Sequence, residues 1–232
     1  MNLLNPNETE TSLYKTREAW EQAVRQCSEC PLRKEGNRGP VLSTGDIHSP
    51  LMIIGEGPGG VEDDYGAPLV GPSGQLLDKA LASVGITRDR VYVTNIVKCR
   101  PHGNRTPTIA ESADCADRWL YEEIRLCGPK AILALGKTSL RWFAGKDMSI
   151  VRSRGKWLEW KNIPVMPTFH PAYLLRQTGH DLVEAKWQVY YDLKAAKEKA
   201  AEAAPDWTWK TDPPPDLLAE FAEMRAMRHR HS

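Results

Sequence analysis

Four cysteines stand where thiols could gather around a metal. Cys27 and Cys30 form a C-x2-C pair in the polar stretch "CSECP", Cys99 lies in the basic loop "NIVKCRPHGNRTP", and Cys115 lies on the helical stretch that follows. Thiolates from separate segments suit a tetrahedral zinc or an iron–sulfur cluster. Spacing does not choose between the two. Small buried cysteines are common in cores, but core packing does not explain a pair in a polar loop. Cys127, in "IRLCG", falls on the apolar face of its helix and reads as structural.

A second set of residues could act on a substrate. Glu56 sits in the glycine-rich loop "GEGPGG", Asn95 at the end of "VYVTN", and His170 in "TFHP". A carboxylate can position or activate water. An Asn side chain offers a donor and an acceptor, so it can read a planar amide edge such as that of a base. A histidine can stabilise charge developing on a leaving group. Each taken alone reads as readily as a strand-end cap, a solvated loop charge or a satisfied loop histidine. Two familiar phosphate loops are excluded. "GEGPGG" continues into the acidic "VEDDYG", which is wrong for a pyrophosphate, and "LGKTS" has Ala131 where a P-loop needs its first glycine.

Positive charge is local. Lys98, Arg100 and Arg105 occupy the stretch 91–110, which has no acid; Arg152, Arg154 and Lys156 form a second group and Arg176 a third. Gathered at one end of a sheet, these suit a phosphate backbone. Leu174 and Leu175, beside Arg176, read either as a core turn or as an apolar wedge entering a base stack.

The elements that must position these groups alternate. "LMIIG", "VYVTNIV" and "AILALG" are continuous apolar runs, the mark of buried parallel strands. Helices are expected over residues 10–26, over "SGQLLDKALASVG" with Ser73 as N-cap and Gly85 as stop, and over "TIAESADCADRWLYEEIRLCG" with a Thr108/Glu111 capping box and Gly128 at its end. A short helix "TSLRWFAG", a hairpin in "GKWLEWKNIPVMPTFHP" and a long helix over residues 181–204 follow. Such alternation implies an α/β fold, a mostly parallel sheet covered on both faces. Ligands then sit beyond the carboxyl ends of the strands. "GEGPGG", "NIVKCRPHGNR", "LGKTS" and "TFHPAYLLR" all fall there and should converge on one crevice.

Bulk properties narrow the class. The chain has 232 residues with a formal net charge of +1, so it is no globally basic nucleic-acid coat. Its start lacks the pattern of a secretory signal, and no apolar run approaches the ~18 residues of a membrane span. A cytoplasmic chain is expected, in which five cysteines argue against a disulfide framework. The domain reading is one α/β unit over residues 1–204 and a proline-rich linker with a short helical tail over 205–232.

Taken in order, "CSEC", "GEGPGGVEDDYGAPLVGPSGQLLDKAL", "VYVTNIVKCRPHGNRTPT", "AILALGK", "VRSRGKW" and "FHPAYLLR" resemble the family 4 uracil-DNA glycosylases, which are also similar to a region of some phage DNA polymerases. The resemblance covers residues 27–177. It implies a three-layer αβα fold around a central four-stranded, mostly parallel sheet, and a monomeric base-excision-repair enzyme that releases uracil from double- or single-stranded DNA. It implies a structural [4Fe-4S] cluster on Cys27, Cys30, Cys99 and Cys115. It makes Glu56 the holder of the attacking water, Gly57 a lining of the uracil pocket, Asn95 the reader of the uracil edge and His170 the group that steadies charge on uracil O2. Glu62 falls on the wall that excludes the thymine methyl. Lys98, Arg100, Arg105, Ser73, Leu174, Leu175 and Arg176 are the expected DNA contacts.

Two positions depart from the family pattern. Leu69, in "APLVG", replaces an aromatic that stacks on the base, a contact worth ~1–3 kcal/mol; Tyr65 is near enough in sequence to substitute. His102 replaces a proline and reads as a phosphate contact or an exposed side chain. Two competing readings are a DNA-binding module without turnover, which would bind DNA without cutting its glycosidic bonds, and a zinc-stapled hydrolase, which would be colourless.

Overall fold

A computed structural model describes residues 12–230. The chain enters through α1 (Arg17–Arg25), which starts on a Thr16 side-chain cap and buries Trp20 and Val24. Residue 10, the expected start of this helix, lies outside the described residues. A short 3-10 turn, Pro31–Lys34, follows the C-x2-C pair. Then come β1 (Leu51–Gly55), α2 (Gly60–Tyr65), α3 (Pro72–Ser83) and β2 (Tyr92–Asn95). The third predicted helix is present as α4 (Ile109–Cys115) and α5 (Tyr121–Cys127), joined by a π-helical segment over Ala116–Leu120. The Thr108/Glu111 capping box forms, and Gly128 ends the run in the left-handed region at φ 56°. The rest comprises β3 (Ala131–Leu135), α6 (Gly136–Ala144), α7 (Ile150–Ser153), β4 (Leu158–Trp160), β5 (Ile163–Thr168), α8 (Pro171–Leu174), α9 (Gly179–Ala203) and α10 (Leu217–Arg230).

The strands form one sheet in the order β2-β1-β3-β5-β4. The first four are mutually parallel, and β4 is antiparallel to β5. The fold class is as expected, with one more strand than the four implied by resemblance. The predicted hairpin supplies it: Lys161 and Asn162 take positive φ of 48° and 64°, which turns the chain tightly enough for β4 to close the sheet's edge. Trp160 then packs edge-on to Tyr121 and Phe143.

Strand alternation sends Met52, Ile54 and Ile132 to one face, against Trp20, Trp119 and Ile124. Leu51, Ile53 and Leu133 go to the other, against Leu77, Leu81 and Leu193. That is why helices cover both faces. One helix start was misplaced by sequence. Gly71, not Ser73, caps α3, because Pro72 already holds the φ that a first helical residue needs.

The chain after α9 folds back onto this unit. The Arg90 guanidinium lies 4.1 Å from the ring centre of Trp207, and Phe221 is buried. Arg228 donates to the carbonyls of Gly39, Pro40 and Asp63.

Lys98 overturns an expectation. It is 1% exposed, and its Nζ lies 2.5 Å from Glu123 Oε2, 2.6 Å from Thr94 Oγ1 and 3.0 Å from the Asn95 carbonyl. Glu123, 0% exposed, also accepts from the Tyr92 hydroxyl and the Thr94 hydroxyl. Lys98 is therefore no DNA contact; it is half of a buried ion pair between the loop after β2 and α5. Removing one partner strands the other charge in the core, a loss of about 3–5 kcal/mol. Glu123→Gln is expected to lower unfolding free energy by about that much in a urea titration. A value within error of the parent would contradict the pair's structural role.

Candidate active site and cysteine cluster

Glu56 and Gly57 leave the end of β1, and Gly136 and Lys137 open α6 at the end of β3. His170 and Arg176 flank α8 after β5, and Asn104 lies in the loop after β2. These residues line one cleft of about 400 Å³. All four strand-end loops thus meet, as the topology requires.

His170 caps α8 with its ring. Its Nδ1 accepts from the Ala172 backbone N–H at 3.1 Å. In the neutral imidazole the proton must then sit on Nε2, leaving that atom as a donor. Burial, with help from the Arg176 charge, holds the imidazole down to about 4. Gly136 permits the close approach of its loop: at φ 82°, a Cβ there would stand 2.9 Å from His170 Cβ. The Glu56 carboxylate accepts from the Thr138 hydroxyl on α6.

Asn95 is 2% exposed, and among the described residues neither atom of its amide has a hydrogen-bond partner. Leaving a buried polar atom unpaired costs about 1–3 kcal/mol. The amide lies across Gly55, where a Cβ would come within 2.3 Å of Asn95 Oδ1 and 3.5 Å of Leu69 Cδ1. Asn95 and Leu69 therefore converge beside the first residues of the cleft. Leu69 holds a strained φ of 51°, and Arg88 grips the turn by donating to the Pro68 and Leu69 carbonyls.

The cysteines also converge. Cys27, Cys30, Cys99 and Cys115 line one cavity of about 80 Å³. The Lys98 backbone N–H donates to Cys115 Sγ at 3.3 Å. Burial, then the neighbouring Cys115 and Cys30 thiols, push Cys99 up to about 12, and burial pushes Cys115 up to about 11. Thiolates there would need compensating positive charge, which a metal group supplies. Among the described residues, no group of three or more His, Cys, Asp or Glu forms a ready-made site for a metal ion. Cys127 lies apart from the four, with burial raising it further.

With this geometry in view, comparison with known proteins is decisive. The model of the Uracil DNA glycosylase superfamily matches residues 42–194. A type-4 uracil-DNA glycosylase of Thermotoga maritima is 41% identical over 178 residues, 76% of this chain and 90% of that protein. The chain belongs to the uracil-DNA glycosylase superfamily. A type-4 uracil-DNA glycosylase of Pyrobaculum aerophilum is 35% identical over 164 residues, 67% of this chain and 83% of that protein. A DNA polymerase of Bacillus phage SP01 is 34% identical over 145 residues, 62% of this chain but 16% of the polymerase.

For a superfamily member, several residues expected to meet ligand do otherwise. Glu62 accepts from the N–H groups of Gly59, Val70 and Gly71, so it shapes the turn carrying Leu69. Leu174 is buried with Phe169, Ala185 and Val189, whereas Leu175 is 52% exposed beside the exposed Arg176. The wedge reading therefore survives for Leu175 alone. Arg105 is held between Glu35 and Glu111, which are 2.5 and 2.7 Å away, so its charge is already matched. That pairing helps hold Glu111 down to about 2. Arg100 donates to Asn104 Oδ1 from the cleft's rim, and Ser73 is half-buried in the first turn of α3. Tyr65 turns away toward Arg225 and does not stand in for the missing aromatic. His102 is exposed, and its backbone N–H donates to Glu35. Sequence reasoning missed Thr138 and Lys137, although "LGKTS" lies at a strand end where ligand groups gather.

The His170 environment has a measurable consequence. Its folded value lies below the unfolded 6.5, so between these the unfolded chain binds the extra proton. The stability it contributes is complete above pH 6.5 and declines as pH falls toward 4. Nitrogen NMR at pH 6 is expected to show neutral His170 protonated on Nε2, titrating only near 4. Titration near the ordinary histidine value would contradict this environment.

Proposed function

We propose that the chain hydrolyses the N-glycosidic bond of deoxyuridine in DNA, releasing uracil and leaving an abasic site for base excision repair. The observation that carries this reading is the unpartnered Asn95 amide. A buried donor and acceptor on one planar group, held beside a cleft with a carboxylate and a neutral histidine, match the edge of a uracil ring. The names of the relatives and the superfamily match support the same reaction.

The chemistry follows from charge development. The target nucleotide leaves its stack at a cost of a few kcal/mol. As the glycosidic bond breaks, uracil becomes anionic and the sugar oxocarbenium-like. Asn95 reads the uracil edge, and His170 Nε2–H donates toward the oxygen where negative charge collects. A neutral donor with its tautomer already set needs no reorganisation at that moment. Glu56, oriented by Thr138, holds the water that attacks the sugar carbon. Leu175 and Arg176 are placed to enter the duplex, and Arg100 and Lys137 to meet its phosphates. Leu69 covers the base in place of an aromatic ring.

Cys27, Cys30, Cys99 and Cys115 would hold a [4Fe-4S] cluster; their shared cavity and the N–H donor on Cys115 support this. Such a group would supply a cross-link between three segments of chain and takes no part in the hydrolysis. We infer a monomer, since one chain completes the cleft, acting on double- or single-stranded DNA in the cytoplasm. Among the described residues, no helix is long and apolar enough to cross a membrane.

The test is incubation with a uracil-containing oligonucleotide followed by alkali. Strand scission is expected, reduced by about 10²–10³ in Asn95→Ala and in His170→Ala. Binding without scission by the parent chain would instead favour a DNA-binding module without turnover.

A further inference from the structure

Away from the reaction cleft, arginines gather without enough carboxylates among the described residues to match them. Arg25 at the end of α1, Arg33 and Arg38 in the loop after the C-x2-C pair, and Arg228 on α10 line a cleft of about 450 Å³, together with Tyr65 and Met224. Their neighbour Arg225 lies 5.1 Å from the Tyr65 ring centre. The carboxylates that pair with these arginines are Glu21, Asp63 and Asp64. Asp64 serves both Arg38 and Arg225 and also accepts His229.

The arginines differ in how fully they are engaged. Arg228 is spent on Asp63 and three backbone carbonyls, and it forms the wall. Among the described residues, Arg25 comes no nearer than 3.9 Å to Glu21, Arg33 reaches only the Asn37 amide oxygen at 3.5 Å, and Arg38 is 3.6 Å from Asp64. Burial lowers Arg228, and the Arg25 charge across the cleft adds to that effect. Guanidinium groups are planar forks that match phosphate oxygens two at a time. A phenol ring and a methionine beside them offer a face for a base or sugar.

We propose that this cleft binds phosphate groups, carried either by a nucleic-acid backbone or by a free nucleotide. The reaction cleft begins at the other end of α2, a helix about 9 Å long. A strand with its base in the site would have to follow α2 to lay phosphates here.

Uracil-free probes separate this proposal from the glycosylase reading, which alkali scission tests independently. A short fluorescent uracil-free oligonucleotide, single-stranded and duplex, is titrated by anisotropy over a range of KCl. Pyrophosphate and dAMP are titrated by calorimetry. Arg25→Ala/Arg33→Ala is expected to weaken oligonucleotide binding about tenfold at low salt and to flatten the log–log salt slope by about 1–2. Arg25→Lys/Arg33→Lys keeps the charge and is expected to restore the salt slope but only part of the affinity, because an ammonium lacks the planar fork. Loss confined to pyrophosphate and dAMP assigns the cleft to free nucleotides. Arg25→Gln/Arg38→Gln provides a second variant, and thermal melting confirms folding of each. Affinities and salt slopes indistinguishable from the parent in both arms would overturn the proposal.

Discussion

Lys98 and Glu123 meet in the core, and much of the candidate site hangs from that contact. The ammonium donates to the Asn95 carbonyl and the Thr94 hydroxyl, so it fixes the end of β2. The carboxylate comes from α5, so the same contact fixes the helical layer to the sheet. One residue further on is Cys99, and the Lys98 backbone N–H reaches Cys115. The unpartnered Asn95 amide, the cysteine cluster and the helix are thereby one mechanical unit. Burying both charges is costly, and the cost is offset here by hydrogen bonds that fill their remaining valences.

Around that anchor the parallel sheet does the gathering. Strand order and handedness bring four loops to one end, so Glu56 and His170 share a cleft although 114 positions separate them in the chain. The cysteine pair reaches the same end from the N-terminal side, and α10 reaches α2 from the C-terminal side. Arg228 binds both the loop after the cysteines and the end of α2, so the tail braces the two segments that flank the reaction cleft.

The layers, the strands, the capping box of α4 and the convergence of strand-end loops were legible from periodicity and turn residues, because those features are local. The resemblance named the family correctly. Lys98 was misread because a lysine between an apolar strand and a basic loop carries no local mark of burial; its partner lies 25 residues away on another layer. Leu174 and Leu175 are adjacent and alike, and only the packing of α8 on α9 separates core from surface. The backbone partners of Glu62 at Val70 and Gly71 were not legible for a similar reason, since they belong to a turn whose closure is tertiary. Tyr65 is near Leu69 in sequence, but the end of α2 points it elsewhere.

The central claim is that the orphaned amide of Asn95 exists to meet a base. A crystal structure of the chain with uracil tests it most directly. The account predicts uracil beside Gly55, with the Asn95 amide nitrogen and oxygen each about 3 Å from an oxygen and a ring nitrogen of the base. Uracil bound elsewhere, or an Asn95 amide satisfied by protein groups with the base absent from it, would contradict the account.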